Sequence, residues 1–118
     1  GFRYTREGER IAALKRQQIK KSNEMKEKGR ADALAGMPKD DSIQHMAYIM
    51  AYDETMKDAA KLAGMNFFNY DSLGQGEEPE KDYEFWQTNY EGKYLDSFED
   101  GEREAALNHE DALYDLGL

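Results

Sequence analysis

The chain contains no valine, and nowhere does an alternation of apolar and polar residues persist for five positions. A half-buried strand needs that period-two pattern and is enriched in β-branched residues, so a sheet is excluded at the outset. Apolar residues recur instead at steps of three and four, the spacing of one helix face. The fold expected is therefore all-α, with three to four helices. An antiparallel helical hairpin would be followed by an aromatic-rich, acidic helical segment. At 118 residues such a chain can bury one modest core, so residues 1–118 are read as a single domain.

The first helix is predicted over 5–35. Thr5 can cap it, Glu7 and Glu9 suit its positive end, and its body is rich in Ala, Leu, Lys, Arg and Gln. Its stripe of Ile11, Leu14, Gln18, Lys21 and Met25 is weak, as expected of a helix mostly in water or covered by another chain. Gly29 interrupts it at a cost of about 1 kcal/mol relative to Ala. Gly36 can take the left-handed cap, and Pro38 cannot continue the helix. A second helix is predicted over 42–63, starting after Asp40, Asp41 or Ser42 and ending at Gly64. Ile43, Met46, Ala47 and Met50, then Ile49, Tyr52, Met56, Ala59, Ala60 and Ala63, would face the core. Residues 65–79 read as a loop containing Phe67, Phe68 and Tyr70. An acidic helical region follows over 80–116. Pro79 opens it, and Tyr83, Trp86, Tyr90, Tyr94 and Phe98 line one face, with Gly92 and Gly101 as weak points.

The net charge of -9 conceals a polarity. Residues 1–30 hold ten basic and four acidic side chains, whereas residues 71–118 hold three basic and fifteen acidic ones. Such asymmetry either neutralises itself within the molecule or presents two charged surfaces to partners. Two phrases also recur: Glu7-Gly8-Glu9-Arg10-Ile11-Ala12-Ala13-Leu14 and Asp100-Gly101-Glu102-Arg103-Glu104-Ala105-Ala106-Leu107 agree at six of eight positions. Gly29-Arg30-Ala31-Asp32-Ala33-Leu34 is a looser third copy. A duplicated helical unit would explain them, as would chance between two Ala-rich helix starts.

Residues 29–56 resemble the ribosome modulation factor family. Gly29, Ala35 and Gly36 resemble its spaced glycines at the end of a first helix. Tyr48 and Tyr52, followed by Asp53-Glu54-Thr55-Met56, resemble its paired aromatics on a second. The resemblance implies a two-helix hairpin and, through the family's binding of ribosomal RNA, a ribosome-associated role. That family is strongly basic, however, and this chain is acidic.

Chemistry is sparsely encoded. There is no cysteine, and two histidines cannot build a zinc centre alone. The Asp96–Gly101 stretch has Asp at the first and fifth positions of a calcium loop, but Phe98 stands third and Leu107 twelfth, where ligands are required. No serine elbow occurs, no Glu-x-x-His pair suggests a dimetal site, and Gly74-Gln75-Gly76 lacks the rest of a phosphate loop. His45 and His109 read as surface residues. No catalytic residue, cofactor or metal is expected, and the chain is read as non-enzymatic. No run of 18 apolar residues could span a membrane, and no leader pattern supports secretion, which leaves the cytoplasm as the default.

The leading expectation is an acidic protein-binding modulator or inhibitor acting on a host or assembly protein with a basic surface. Small phage-encoded DNA mimics that block nucleic-acid-binding proteins or counter host defences have this composition. Asp82, Glu84, Glu91, Asp96, Glu99, Asp100, Glu102 and Glu104 would form the acidic face, and Tyr83, Trp86 and Tyr90 would anchor the contact, as aromatics commonly do. Two alternatives stand beside it. One is an RNA- or ribosome-associated modulator whose Arg16, Lys20, Lys21, Lys26 and Arg30 touch phosphates. The other is a structural subunit of a virion or larger assembly, for which an oligomer is expected.

Overall fold

A computed structural model describes residues 6–117. Among them lie four α-helices: α1 (Arg6–Leu34), α2 (Met46–Leu73), α3 (Tyr83–Thr88) and α4 (Leu95–Asp115), with a single tight turn at Tyr90–Gly92 between the last two. No described residue is in a strand, so the fold is all-α. Contacts divide the chain into two compact units, Gly1–Thr55 and Met56–Leu118.

In the first unit, α1 carries Glu7 and Glu9 in its first turn. The proposed Thr5 cap lies outside the described residues. Gly29 does not interrupt the helix, which ends where Gly36 takes φ +71°. There the Gly36 N–H donates to the Ala33 carbonyl at 3.1 Å and the Met37 N–H to that of Asp32 at 3.0 Å, closing the last turn. Asp40 does not cap α2. Its carboxylate accepts from the Ser42 N–H at 3.0 Å and hydroxyl at 2.6 Å, and these bonds hold its pKa below the ordinary value. His45 takes the capping position instead, its Nδ1 accepting from the Ala47 N–H at 3.2 Å.

Two buried tyrosines of α2 hold the connecting loop. The Tyr48 hydroxyl donates to Asp32 Oδ2 at 2.7 Å and accepts from the Asp40 N–H at 2.9 Å. Burial is the main cause that pushes the Tyr48 pKa up. Tyr52 donates to the Met37 carbonyl at 2.7 Å. These rings and Ala51 face inward, while Met46 and Met50 are exposed, so the expected Ile43–Met50 core face is rotated away. α2 starts four residues later than predicted, and it turns Tyr48 rather than Met46 toward α1.

In the second unit, α2 passes through Gly64 without ending and runs to Leu73. Gly74 then turns the chain at φ +63°. The loop expected over 65–79 is thus helix for its first nine residues, and Phe67 packs on Phe98 with centroids 5.7 Å apart. The long aromatic helix expected from Pro79 to Phe98 is broken twice. Its first piece is only six residues long and starts after Asp82, whose side chain accepts from the Phe85 N–H at 3.0 Å. Gly101 lies inside α4 and is buried. Met56, Ala60, Trp86, Tyr94, Phe98 and Ala105 form this unit's core.

Glycine explains why helices approach closely in both units. A Cβ on Gly29 would overlap the Tyr48 carbonyl oxygen, with the Tyr52 nitrogen behind it. On Gly64 it would overlap the carbonyl of Phe98, beside the Glu102 nitrogen. On Gly101 it would overlap the carbonyl of Lys61, beside the Met65 nitrogen. In each case the glycine lies over a carbonyl and the amide four residues further along the facing helix. A small residue four positions away shares the face: Ala33 for Gly29, Ala60 for Gly64 and Ala105 for Gly101. Small residues at this spacing let two helix backbones meet without intervening side chains.

Candidate partner-binding surfaces

The eight carboxylates expected to form an acidic face are unequal. Asp82 is occupied as the α3 cap. Asp100 pairs with Arg103, one turn along α4. Glu104 pairs with Lys61 at 2.7 Å, a contact that raises the lysine's pKa through its hydrogen bond and charge. Glu84, Glu91 and Asp96 are exposed, and Glu99 and Glu102 are half-buried. Burial pushes the Glu102 pKa up, and the charges of Glu99 and Asp71 push it further against the opposing pull of Arg103. Asp71 falls in the segment the sequence reads as a loop, whereas α2 reaches past it and carries its charge to Glu102.

The three expected aromatic anchors also separate. Tyr83 is 37% exposed and packs edge-on against Phe98 at 6.0 Å. Tyr90 is half-buried. Trp86 is 1% exposed, so its ring is core and unavailable as a surface anchor in this conformation. It meets Phe85 at 5.2 Å in a T-shaped contact, Tyr90 at 5.9 Å and Tyr94 at 6.4 Å, again T-shaped. Tyr90 and Tyr94 close the cluster at 5.5 Å. Such offset and edge-to-face pairs each add about 0.5–1.5 kcal/mol beyond the area they bury. Lys81 stands over the Phe85 ring at 5.4 Å and Lys93 over the Tyr94 ring at 5.6 Å.

Two local costs accompany this cluster. Among the described residues, the Trp86 indole nitrogen is buried and has no hydrogen-bond acceptor. A buried donor left unpaired costs about 1–3 kcal/mol. Directly after it, Tyr90, Glu91 and Gly92 all adopt left-handed φ, at 56°, 56° and 72°. Only the third of these is a glycine, and each of the others costs about 1–2 kcal/mol in that conformation. The expected helical continuity failed here because Gly92 closes a turn of opposite hand, with its N–H donating to Asn89 and that of Lys93 to Tyr90.

The basic residues belong to the other unit. Arg16, Lys20, Lys21, Lys26 and Arg30 are all exposed on α1. At about 100° per residue, Arg16, Lys20, Lys26 and Arg30 fall within an arc of about 120°, while Lys21 lies outside it. Glu27 sits within that arc. With Arg16, Ile19, Lys20, Asn23 and Glu24 it lines a shallow groove. None of the five makes an ion pair among the described residues; the salt bridge on this part of α1 joins Lys28 to Asp32 at 3.6 Å. Ile11, Leu14 and Ile19 of the same helix are exposed as well.

A polar concavity of about 480 Å³ lies beside the end of α2, lined by Asn66, Asn69, Gln75, Glu77 and Glu78 among others. It offers amides and carboxylates for hydrogen bonding but neither histidine nor hydroxyl nucleophile. Among the described residues, no three His, Asp or Glu side chains are placed to hold a metal ion. The calcium-loop stretch is helical, part of α4. No helix of the described residues is long and apolar enough to cross a membrane. Comparison with protein-family models, with curated proteins and with solved structures finds no match to this chain.

Proposed function

We propose that this protein is a non-enzymatic acidic binding protein whose second unit engages a protein with a basic surface and modulates or inhibits it. The observation that carries this reading is half-buried Glu102 with the charges of Glu99 and Asp71 near it, its pKa pushed up first by burial and then by those two charges. Such repulsion lowers stability, and a cationic partner would relieve it. Glu84, Glu91 and Asp96 extend the same charge into solvent. In its narrower form the reading is a phage-encoded DNA mimic directed at a nucleic-acid-binding protein of the host.

The test is capture of partners from host lysate, with and without nuclease, using wild type and a variant carrying Glu84→Gln, Glu91→Gln, Asp96→Asn and Glu99→Gln. The expected result is a nuclease-resistant partner lost with the four carboxylates. Retention of every partner by that variant would sink the reading.

A second reading is favoured by the exposure of Arg16, Lys20, Lys26 and Arg30 on one arc of α1. In it, α1 contacts the phosphates of an RNA, in line with the resemblance of residues 29–56 to the ribosome modulation factor family. Here the captured partner would disappear on nuclease treatment and on replacing Arg16, Lys20, Lys26 and Arg30 by neutral residues. Binding would also weaken steeply with salt, as counterion release requires.

A further inference from the structure

We propose that residues 82–93 form a strained strap that opens locally and presents Trp86, Tyr90 and Tyr94 to a cationic peptide segment of a partner. The inference rests on the acidic-face reading and supplies what that reading lacks, access to the buried Trp86 ring.

Two independent anomalies meet within these residues. Tyr90 and Glu91 are left-handed without being glycine, and the Trp86 indole N–H is buried with no acceptor among the described residues. A chain that needed only to reverse direction would place Gly or Asn at such positions, at little cost. Strain of this kind persists only where surrounding structure enforces it, and it gathers at sites that switch or bind. One movement relieves both anomalies. Unwinding 89–93 returns Tyr90 and Glu91 to ordinary φ, and lifting α3 brings the indole to water or to a carbonyl of a ligand. α3 is only six residues long, and the movement gives up the Asp82 cap, the bonds of Asn89 to the Phe85 carbonyl, the turn bonds donated by the Gly92 and Lys93 N–H groups, and ring packing.

The chemistry of the ligand follows from what already touches the rings. Ammonium groups of this chain occupy two of them, Lys81 over Phe85 and Lys93 over Tyr94, so the cluster accepts cations. Exposed Glu84, Glu91 and Asp96 surround it with negative charge. A peptide fits both demands: its Lys or Arg side chain meets an aromatic face, and its backbone carbonyl accepts the indole N–H.

Trp86 is the only tryptophan, so its indole proton and its fluorescence each report this site alone. In the full-length protein, exchange of that indole proton is expected to show a protection factor at least about tenfold below those of the Phe98 and Ala105 amides, the signature of opening without global unfolding. Equal protection would overturn the strap. Glu91→Gly removes the strain at one position and favours the closed form, so exchange should slow about fivefold, the equivalent of about 1 kcal/mol. Glu91→Gln keeps the strain while removing the charge and should leave exchange unchanged. If both variants behave alike, the strap is wrong.

An oligo-arginine peptide then tests the ligand. Its binding should shift Trp86 emission to the red and should weaken about fivefold in Glu91→Gly relative to Glu91→Gln. Binding that leaves the emission unmoved overturns the strap while leaving the acidic-face reading intact. Absence of binding overturns the cationic ligand and the acidic-face reading together, whereas the exchange measurement still decides whether the strap opens.

Discussion

At Gly64 and Gly101, local propensity and tertiary packing demand opposite residues. In an isolated helix, replacing either by alanine would stabilise it by about 0.5–1 kcal/mol. In the folded unit the new methyl group would overlap a backbone carbonyl of the facing helix, which cannot rotate away. Gly64→Ala and Gly101→Ala are therefore expected to lower stability by about 2–4 kcal/mol, measured by urea unfolding. A gain in stability would show that the helices are not in contact there. Glu102 gives a second residue-scale expectation. Its folded pKa is raised, chiefly by burial and then by Glu99 and Asp71, so its contribution to stability is complete below the ordinary glutamate value and lost as pH rises through the raised one. Glu102→Gln should accordingly raise the urea midpoint at neutral pH, leave it unchanged below the ordinary glutamate pKa, and flatten the fall between. A neutral-pH midpoint below wild type would contradict this account.

Among the elements, α1 was the most legible in the sequence, because its propensity, acidic first turn and Gly36 cap all agree locally. The ends of α2 and the division between α3 and α4 were not. Gly64 and Gly29 were read as punctuation, since a single sequence shows the cost of a glycine and not the facing backbone that requires it. The stripe from Tyr83 to Phe98 has a clear helical spacing, yet the chain satisfies it by clustering the rings around a left-handed turn. Periodicity records which side chains converge, not whether one unbroken helix brings them together. The acidic residues stand out as a group in the sequence, but which of them pair depends on Lys61 and Arg103 neighbouring them in the fold. Burial also separates the two long helices. No residue of α1 before Gly29 is buried, whereas Met56 of α2 is 3% exposed. Ile11→Ala and Leu14→Ala should each cost less than about 1 kcal/mol, and Met56→Ala about 2–5 kcal/mol. Amide hydrogens before Lys20 should exchange well before those of α4 around Phe98. Strong protection across the first turns of α1 would mean that something covers them in solution.

On the scale of the whole molecule, the division into units sharpens the charge polarity. Eleven basic and nine acidic residues fall in Gly1–Thr55, a balance of +2, and five basic and sixteen acidic residues fall in Met56–Leu118, a balance of -11. The second unit thus carries more than the whole net charge of -9, and the first offsets it slightly. With sixteen carboxylates against five cations, ion pairs such as Lys61–Glu104 and Arg103–Asp100 cannot neutralise the second unit, so most of the repulsion is left to solvent and counterions. Raising salt from about 0.01 M to about 1 M shortens the screening length from about 30 Å to about 3 Å, which reaches even neighbouring carboxylates. Repulsion within the second unit should weaken more than its exposed ion pairs do, because such pairs contribute about 1 kcal/mol at most. Trp86 fluorescence, which reports the second unit, should therefore show its urea midpoint rising with sodium chloride. Replacing Asp96, Glu99 and Glu102 by amides should reproduce part of that rise at low salt and reduce the further response. If salt instead lowers the midpoint of the wild-type protein, attraction outweighs repulsion in the second unit, and relief of its surplus charge no longer supplies a reason for it to seek a basic partner.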